Sequence, residues 1–285
     1  MMNRFTFTST TLLAAVFGST VALADEISIV SSKDNTLFGE VFDDLSNGAG
    51  SGMYAGKTGV FAAPNLLRRA LVQFDLSAIP AKATITGARL DVMCTKSPDD
   101  ISRTFTLHRL TSDWGEGASS SAGGAGSFAE DGDATWVYNF WQTSSWTTPG
   151  GDFLEAVSST TQMEAEGAYT FPSTDQMIDD VQIWLDNPSE NFGWLIKGNE
   201  VDDKTARRIG TREQIEADER PYLVVEYEIG GSTPGDFTGD GQVDGADLGL
   251  MLAVWGPCSG CPEDLNGDGE VSGADLGLLL SFWTI

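Results

Sequence analysis

Five oxygen-bearing side chains, Asp236, Thr238, Asp240, Asp244 and Asp247, stand at positions 1, 3, 5, 9 and 12 of a twelve-residue stretch, with Gly241 at position 6. A calcium ion takes six to eight oxygens at about 2.3–2.6 Å, and an EF-hand loop supplies them at this spacing, with one backbone carbonyl at position 7. Gln242 occupies that position. The sharp turn at position 6 suits glycine, which adopts positive φ at little cost. The pattern then recurs: Asp264, Asn266, Asp268, Glu270 through its carbonyl, Ser272 and Asp275, with Gly269 at the turn. Two copies in register predict two bound calcium ions, because repetition lowers the false-positive risk of a short motif. Acid and glycine crowded into surface turns is the plain alternative.

Behind each loop, Leu248, Met251, Leu252 and Trp255, and likewise Leu276, Leu279, Leu280 and Trp283, recur at helical spacing. A segment this small must bury its apolar surface, so these stripes are expected to form its core. The stretch before Asp236, "IGGSTPG", reads as a linker and not as an entering helix, so these are half EF-hands ending in Asp where the standard loop ends in Glu. Residues 235 to 285 resemble a type I dockerin, which implies a small α-helical calcium-dependent module and a cohesin-like or other surface protein as partner. Dockerins recognise cohesins through loop positions 10 and 11. Here those positions read Gly245, Ala246 and Gly273, Ala274, and neither helix holds a Lys or Arg. A partner must then read backbone, small residues or apolar helix surface.

Near the start of the chain stand Arg4, an apolar run from Leu12 to Phe17 and Ala-Leu-Ala before Asp25. Residues 1–24 read as a secretory signal peptide, which predicts a secreted, extracellular or cell-surface protein. The run is too short to span a bilayer. Forty-two acidic residues against 16 basic ones give a net charge of −26, which argues against nucleic acid or anionic membranes as partners. In an oxidising compartment Cys258 and Cys261 could close a local disulfide or remain free thiols. Three cysteines and the distant His108 are too few for a zinc site, and Cys94 reads as a small core residue.

Residues 25–229 are long enough for one sizeable core, followed by a linker at 230–234. Alternating runs such as "ATITGARLDVMC", "RTFTLHRL" and "PYLVVEYEI", parted by turn clusters, predict a mainly β domain, a sandwich or jelly roll. One helix is expected at 175–186, where Met177, Ile178, Val181, Trp184 and Leu185 share a face and Asn187-Pro188 ends it. The aperiodic Gly/Ser stretch 115–133 reads as an exposed, mobile loop.

"RRALVQFDLSAIPAKATITGARLDV", "RTFTLHRLTSDWGEG", "VQIWLDNPSENFGWLIKGNE" and "ARRIGTREQ", in this order, resemble the DNRLRE-domain family of secreted bacterial proteins. The resemblance implies a jelly-roll β-sandwich like that of carbohydrate-binding modules, and polysaccharide as the ligand. Sugars are held by aromatic platforms and a few polar groups. Trp114, Trp136, Trp141 and Trp146 sit beside Gly/Ser/Thr-rich loops and qualify as platforms, although burial is the commoner fate of Trp. Arg68, Arg69, Arg207, Arg208 and Arg212 could clamp uronic-acid carboxylates, or could pair with Asp75, Asp91 and Glu213.

The chain contains no G-x-S-x-G, H-E-x-x-H, P-loop or Rossmann fingerprint. Glycoside hydrolysis needs two carboxylates at a fixed separation, and a chain this acidic offers no way to choose them. Binding therefore stands ahead of catalysis, with a structural surface protein and a polysaccharide hydrolase or lyase as the alternatives.

Overall fold

A computed structural model describes residues 25–39, 44–59, 66–229, 233–239 and 241–284. The expected signal segment lies outside these residues, as do most of the linker and Asp240. The chain is mainly β, with three α-helices among the described residues. Its long strands are β1 (Asp25–Gly39), β2 (Gly52–Lys57), β3 (Leu67–Phe74), β4 (Ala83–Lys96), β5 (Arg103–Leu110), β6 (Phe153–Met163), β7 (Gly167–Phe171), β8 (Trp194–Lys197), β9 (Arg207–Gly210) and β10 (Tyr222–Ile229). The helices are α1 (Asp175–Asp186), α2 (Gly245–Ala253) and α3 (Gly273–Ser281).

The strands pair antiparallel in two ladders. The first half of β1 pairs with β10, which pairs with β4; β4 also receives β7 and β9, and β9 pairs with β2. Between Ser31 and Lys33 the register of β1 breaks, and its second half continues on β3, followed by β8, β5 and β6. One strand thus passes from ladder to ladder through a bulge, the usual device for turning a sheet corner. The largest core cluster draws Leu90, Val92, Ile209 and Leu223 from one ladder and Val72, Phe105, Trp194 and Ile196 from the other. Helix α1 has the predicted bounds, capped by Thr174, whose hydroxyl accepts the Met177 N–H, and it adds Met177, Val181, Trp184 and Leu185 to this core.

Side chains alternate faces along a strand. Leu71 and Leu195, wedged in sequence between core residues, point the other way and are also fully buried. The segment between β5 and β6 covers them, with Trp114, Ala134 and Trp146 in contact. Within the stretch expected as an exposed loop, residues 115–133, Gly115, Ser119 and Asp133 are buried while about half of the residues are exposed, so it is anchored on the body at these points. The Asn35 amide donates to the carbonyls of Gly115 and Glu116, the Ala49 N–H to Ser119, and the Ser121 N–H to the Asn47 side chain. A covering segment must satisfy its backbone groups against the body, which glycine and serine do compactly.

Residues 233–284 hold a separate small core of Val243, Met251, Val271 and Leu279, all fully buried. The repeats interlock. The Thr284 N–H donates to the Val243 carbonyl at 3.0 Å, and in the equivalent place of the other copy Gly256 pairs with Val271. Leu248 and Leu276 pack against this core, but Leu252 and Leu280 are each 53% exposed and Trp255 and Trp283 48% and 38%. The expected apolar stripes are therefore only half buried. Two nine-residue helices enclose a core too thin to cover both flanks of each stripe.

Candidate functional site

In the first loop, Thr238 joins the two ends: its N–H donates to Asp247 Oδ1 at 2.8 Å and its hydroxyl to Asp236 Oδ1 at 3.3 Å. Asp236 also accepts the Gly241 N–H at 2.8 Å, across a turn that places Gly241 at φ +84°. The second loop repeats this. Asn266 donates its N–H to Asp275 Oδ1 at 3.1 Å and its amide to Asp268 at 3.0 Å, while Asp264 accepts the Gly269 N–H at 2.8 Å. Asp247 and Asp275 are fully buried and each closes a capping box, with Asp244 and Ser272 as N-caps of α2 and α3. Burial alone would raise both carboxyls. The backbone N–H groups of Asp244 and Thr238, and of Ser272 and Asn266, outweigh it and hold both below the ordinary carboxylate value.

These donors are the hard oxygens that calcium prefers, in the right order along each loop, so residues and ion fit in chemistry. Gln242 and Glu270 stand between the acidic half-loop and the helix cap, and Glu270 pairs in register with Pro257. Among the described residues, which leave out Asp240, no three His, Cys, Asp or Glu side chains are arranged as a metal site. A Cys258–Cys261 disulfide closes a local loop in the connector between the two repeats.

The nominated tryptophans separate into two groups. Trp114 and Trp146 are buried, their indole N–H groups bonded to the carbonyls of Phe192 at 2.8 Å and Thr135 at 2.9 Å, so neither offers a sugar platform. Trp136 is half-buried beneath the Arg69 guanidinium, 4.9 Å from its ring centre, and Trp141 meets Tyr138 edge-on. The covering of Leu71 and Leu195 required large apolar side chains, and sequence alone does not distinguish a covering Trp from a presented one.

The arginines are mostly paired; Arg212 meets Glu213, one of the expected partners, and the others meet different ones. Arg69 pairs with Glu200 at 2.7 Å, Arg207 with Asp99 at 2.9 Å, and Arg212 with Glu116 and Glu213. Arg68 is buried over the Phe38 ring. Arg208 differs. Its Nη1 donates to Thr95 Oγ1 at 2.6 Å and its Nη2 to the Ser51 carbonyl at 2.7 Å. Among the described residues no carboxylate pairs with it. Gly52 accommodates it, since a Cβ there would stand 2.2 Å from Arg208 Nε. Arg208 lines a cleft of about 460 Å³ with Tyr54, Thr95, Lys96, Gly123 and Gly124. Among the described residues no acidic side chain lines this cleft, whereas three others include Asp75, Asp152 with Glu155, or Glu200.

Lys96, Tyr54 and the backbone of Gly123–Gly124 escaped the sequence reading because strand pairing alone brings β2, β4 and β9 beside the covering segment. His108 is buried between the Thr106 hydroxyl and the Leu154 carbonyl, and burial lowers its basicity, as fits a packed histidine. Cys94 is buried and free, its thiol pushed up by desolvation. Among the described residues no helix is long and apolar enough to cross a membrane. No protein-family model matches the chain, and no curated protein matches it significantly.

Proposed function

We propose that the chain is a secreted, non-catalytic polysaccharide-binding protein: a jelly-roll β-sandwich of the DNRLRE type over residues 25–229, a linker at 230–234, and a dockerin-like tail that folds around two calcium ions and attaches the protein to a surface partner. The cleft at Arg208 carries the binding part. A chain of net charge −26 keeps a guanidinium and Lys96 together with no acid beside them among the described residues, which suits a glycan bearing carboxylate or sulfate groups. Tyr54 and Thr95 add hydroxyls. For the tail, the support is the duplicated loop with its donors gathered by backbone turns. Calcium there would offset the mutual repulsion of the loop carboxylates, so metal binding contributes folding energy.

A structural surface protein is the second reading, favoured by the loss of Trp114 and Trp146 to the core. Native gels cast with neutral or acidic polysaccharide, with and without calcium, separate the two. The expected result is retardation in acidic gels only, weakened about tenfold by Arg208→Ala, the loss of one charged hydrogen-bonding group. No retardation in any gel supports the structural reading. Release of reducing ends would reassign the protein to the hydrolases or lyases.

A further inference from the structure

Strand β1 carries an ionisable side chain with no outlet to water. Asp34 lies just past the register break of β1 and is fully buried. Its Oδ2 accepts the Ser31 hydroxyl at 3.2 Å and the Arg212 N–H at 3.0 Å, while Oδ1 is buried without a partner. Glu116 accepts the Asp34 N–H at 2.8 Å from the covering segment. Glu213, from the stretch after β9, also has one buried, unpartnered oxygen.

Among the described residues the cation of this group is Arg212, whose guanidinium is engaged by Glu116 at 2.8 and 2.5 Å and by Glu213 at 3.1 Å. Lys33 turns away to Asp113 and the Trp114 carbonyl, and the residue opposite Asp34 on β3 is the uncharged Val72. Three carboxylates around one guanidinium leave negative charge uncompensated. A buried carboxylate in that position neutralises itself more cheaply than it stays ionised. A metal ion would need several convergent oxygens, and no such group exists among the described residues. A proton needs one.

We propose that Asp34 is a neutral carboxylic acid at neutral pH, and that its proton latches residues 211–213 against β1 and the covering segment. Burial is the main cause, with the charges of Glu213 and Glu116 adding to it and the Arg212 N–H opposing it; together they hold the carboxyl well above its ordinary 3.8. Burial also raises Glu213. The folded state therefore binds this proton more tightly than the unfolded chain does. The stability it contributes is complete below the ordinary carboxyl range and is lost as pH rises through the elevated folded value.

The test compares the full-length mature protein with its Asp34→Asn variant, both in saturating calcium. The wild-type melting temperature is expected to fall by several degrees between about pH 5 and about pH 9, and the variant, already neutral, to lack that fall and to melt above the wild type at the alkaline end. Infrared difference spectra at neutral pH give a direct readout, a protonated-carboxyl band in wild type that Asp34→Asn removes. The difference is needed because burial also raises Asp133. Glu213→Gln should lower the pH at which the band disappears, and that variant decides the matter if Asp34→Asn does not fold. Identical pH profiles, no band in the difference, or a wild-type melting temperature that ignores pH would each overturn the proposal.

Discussion

Replacing Asp275 with Ala is expected to reduce the calcium bound by the full chain from two ions to one and to melt α3. The carboxylate holds the N–H groups of Asn266 and Ser272 from a fully buried position and completes the capping box. Its removal orphans two part-buried donors, one of them the N-cap N–H of the capping box, together about 3 kcal/mol. A core of four fully buried residues has little reserve against such a loss. Asp247→Ala should act equivalently on the first loop, where Thr238 and Asp244 lose the same partner. Calcium titration calorimetry and far-ultraviolet circular dichroism measure both effects. Unchanged stoichiometry with retained helix would remove the loops from the calcium account. Because both carboxyls are held below their ordinary value, their contribution is complete above the ordinary carboxylate range and lost as pH falls through the depressed value.

The second large effect is expected in the body. Asp180 on α1 is fully buried, receives the Trp194 indole N–H at 3.0 Å and the Ser158 hydroxyl, and lies 3.1 Å from Arg109 Nε without hydrogen-bond alignment. Asp180→Ala leaves the guanidinium without its counter-ion and the indole N–H with only the Ser158 hydroxyl at 3.2 Å, which costs about 3–5 kcal/mol. That corresponds to a fall of roughly 10 °C in melting temperature. Asp180→Asn keeps an acceptor for Trp194 and should lose less. Equal losses for the two variants would show that the charge, and not the hydrogen bond to Trp194, holds α1 on the ladders. Trp184 and Trp194 meet edge-to-face at 4.4 Å beside this group, so fluorescence reports the change directly.

Helix α1 and the alternating strands β4, β5 and β10 were legible because each carries its burial pattern within one segment. Strands β2 and β6 were not. "GMYAGK" looks like a turn until Arg208 is seen to need the space above Gly52, and "FLEAVSSTTQM" has no apolar alternation because β6 lies beside β5 at the edge of its ladder.

By itself the sequence determined the doubled acidic loop, the helix behind each copy and the mainly β character of the body, since spacing, capping and periodicity are local properties. Only the tertiary structure decided which Trp and Arg side chains remain available. Trp114 and Trp146 cover the outer face of a ladder, and Arg207 and Arg212 meet Asp99 and Glu116, because partners distant in sequence are chosen by strand order. The same long-range pairing left Arg208 without an acid among the described residues and Asp34 without water, and charge balance at such places depends on neighbours that no local pattern encodes.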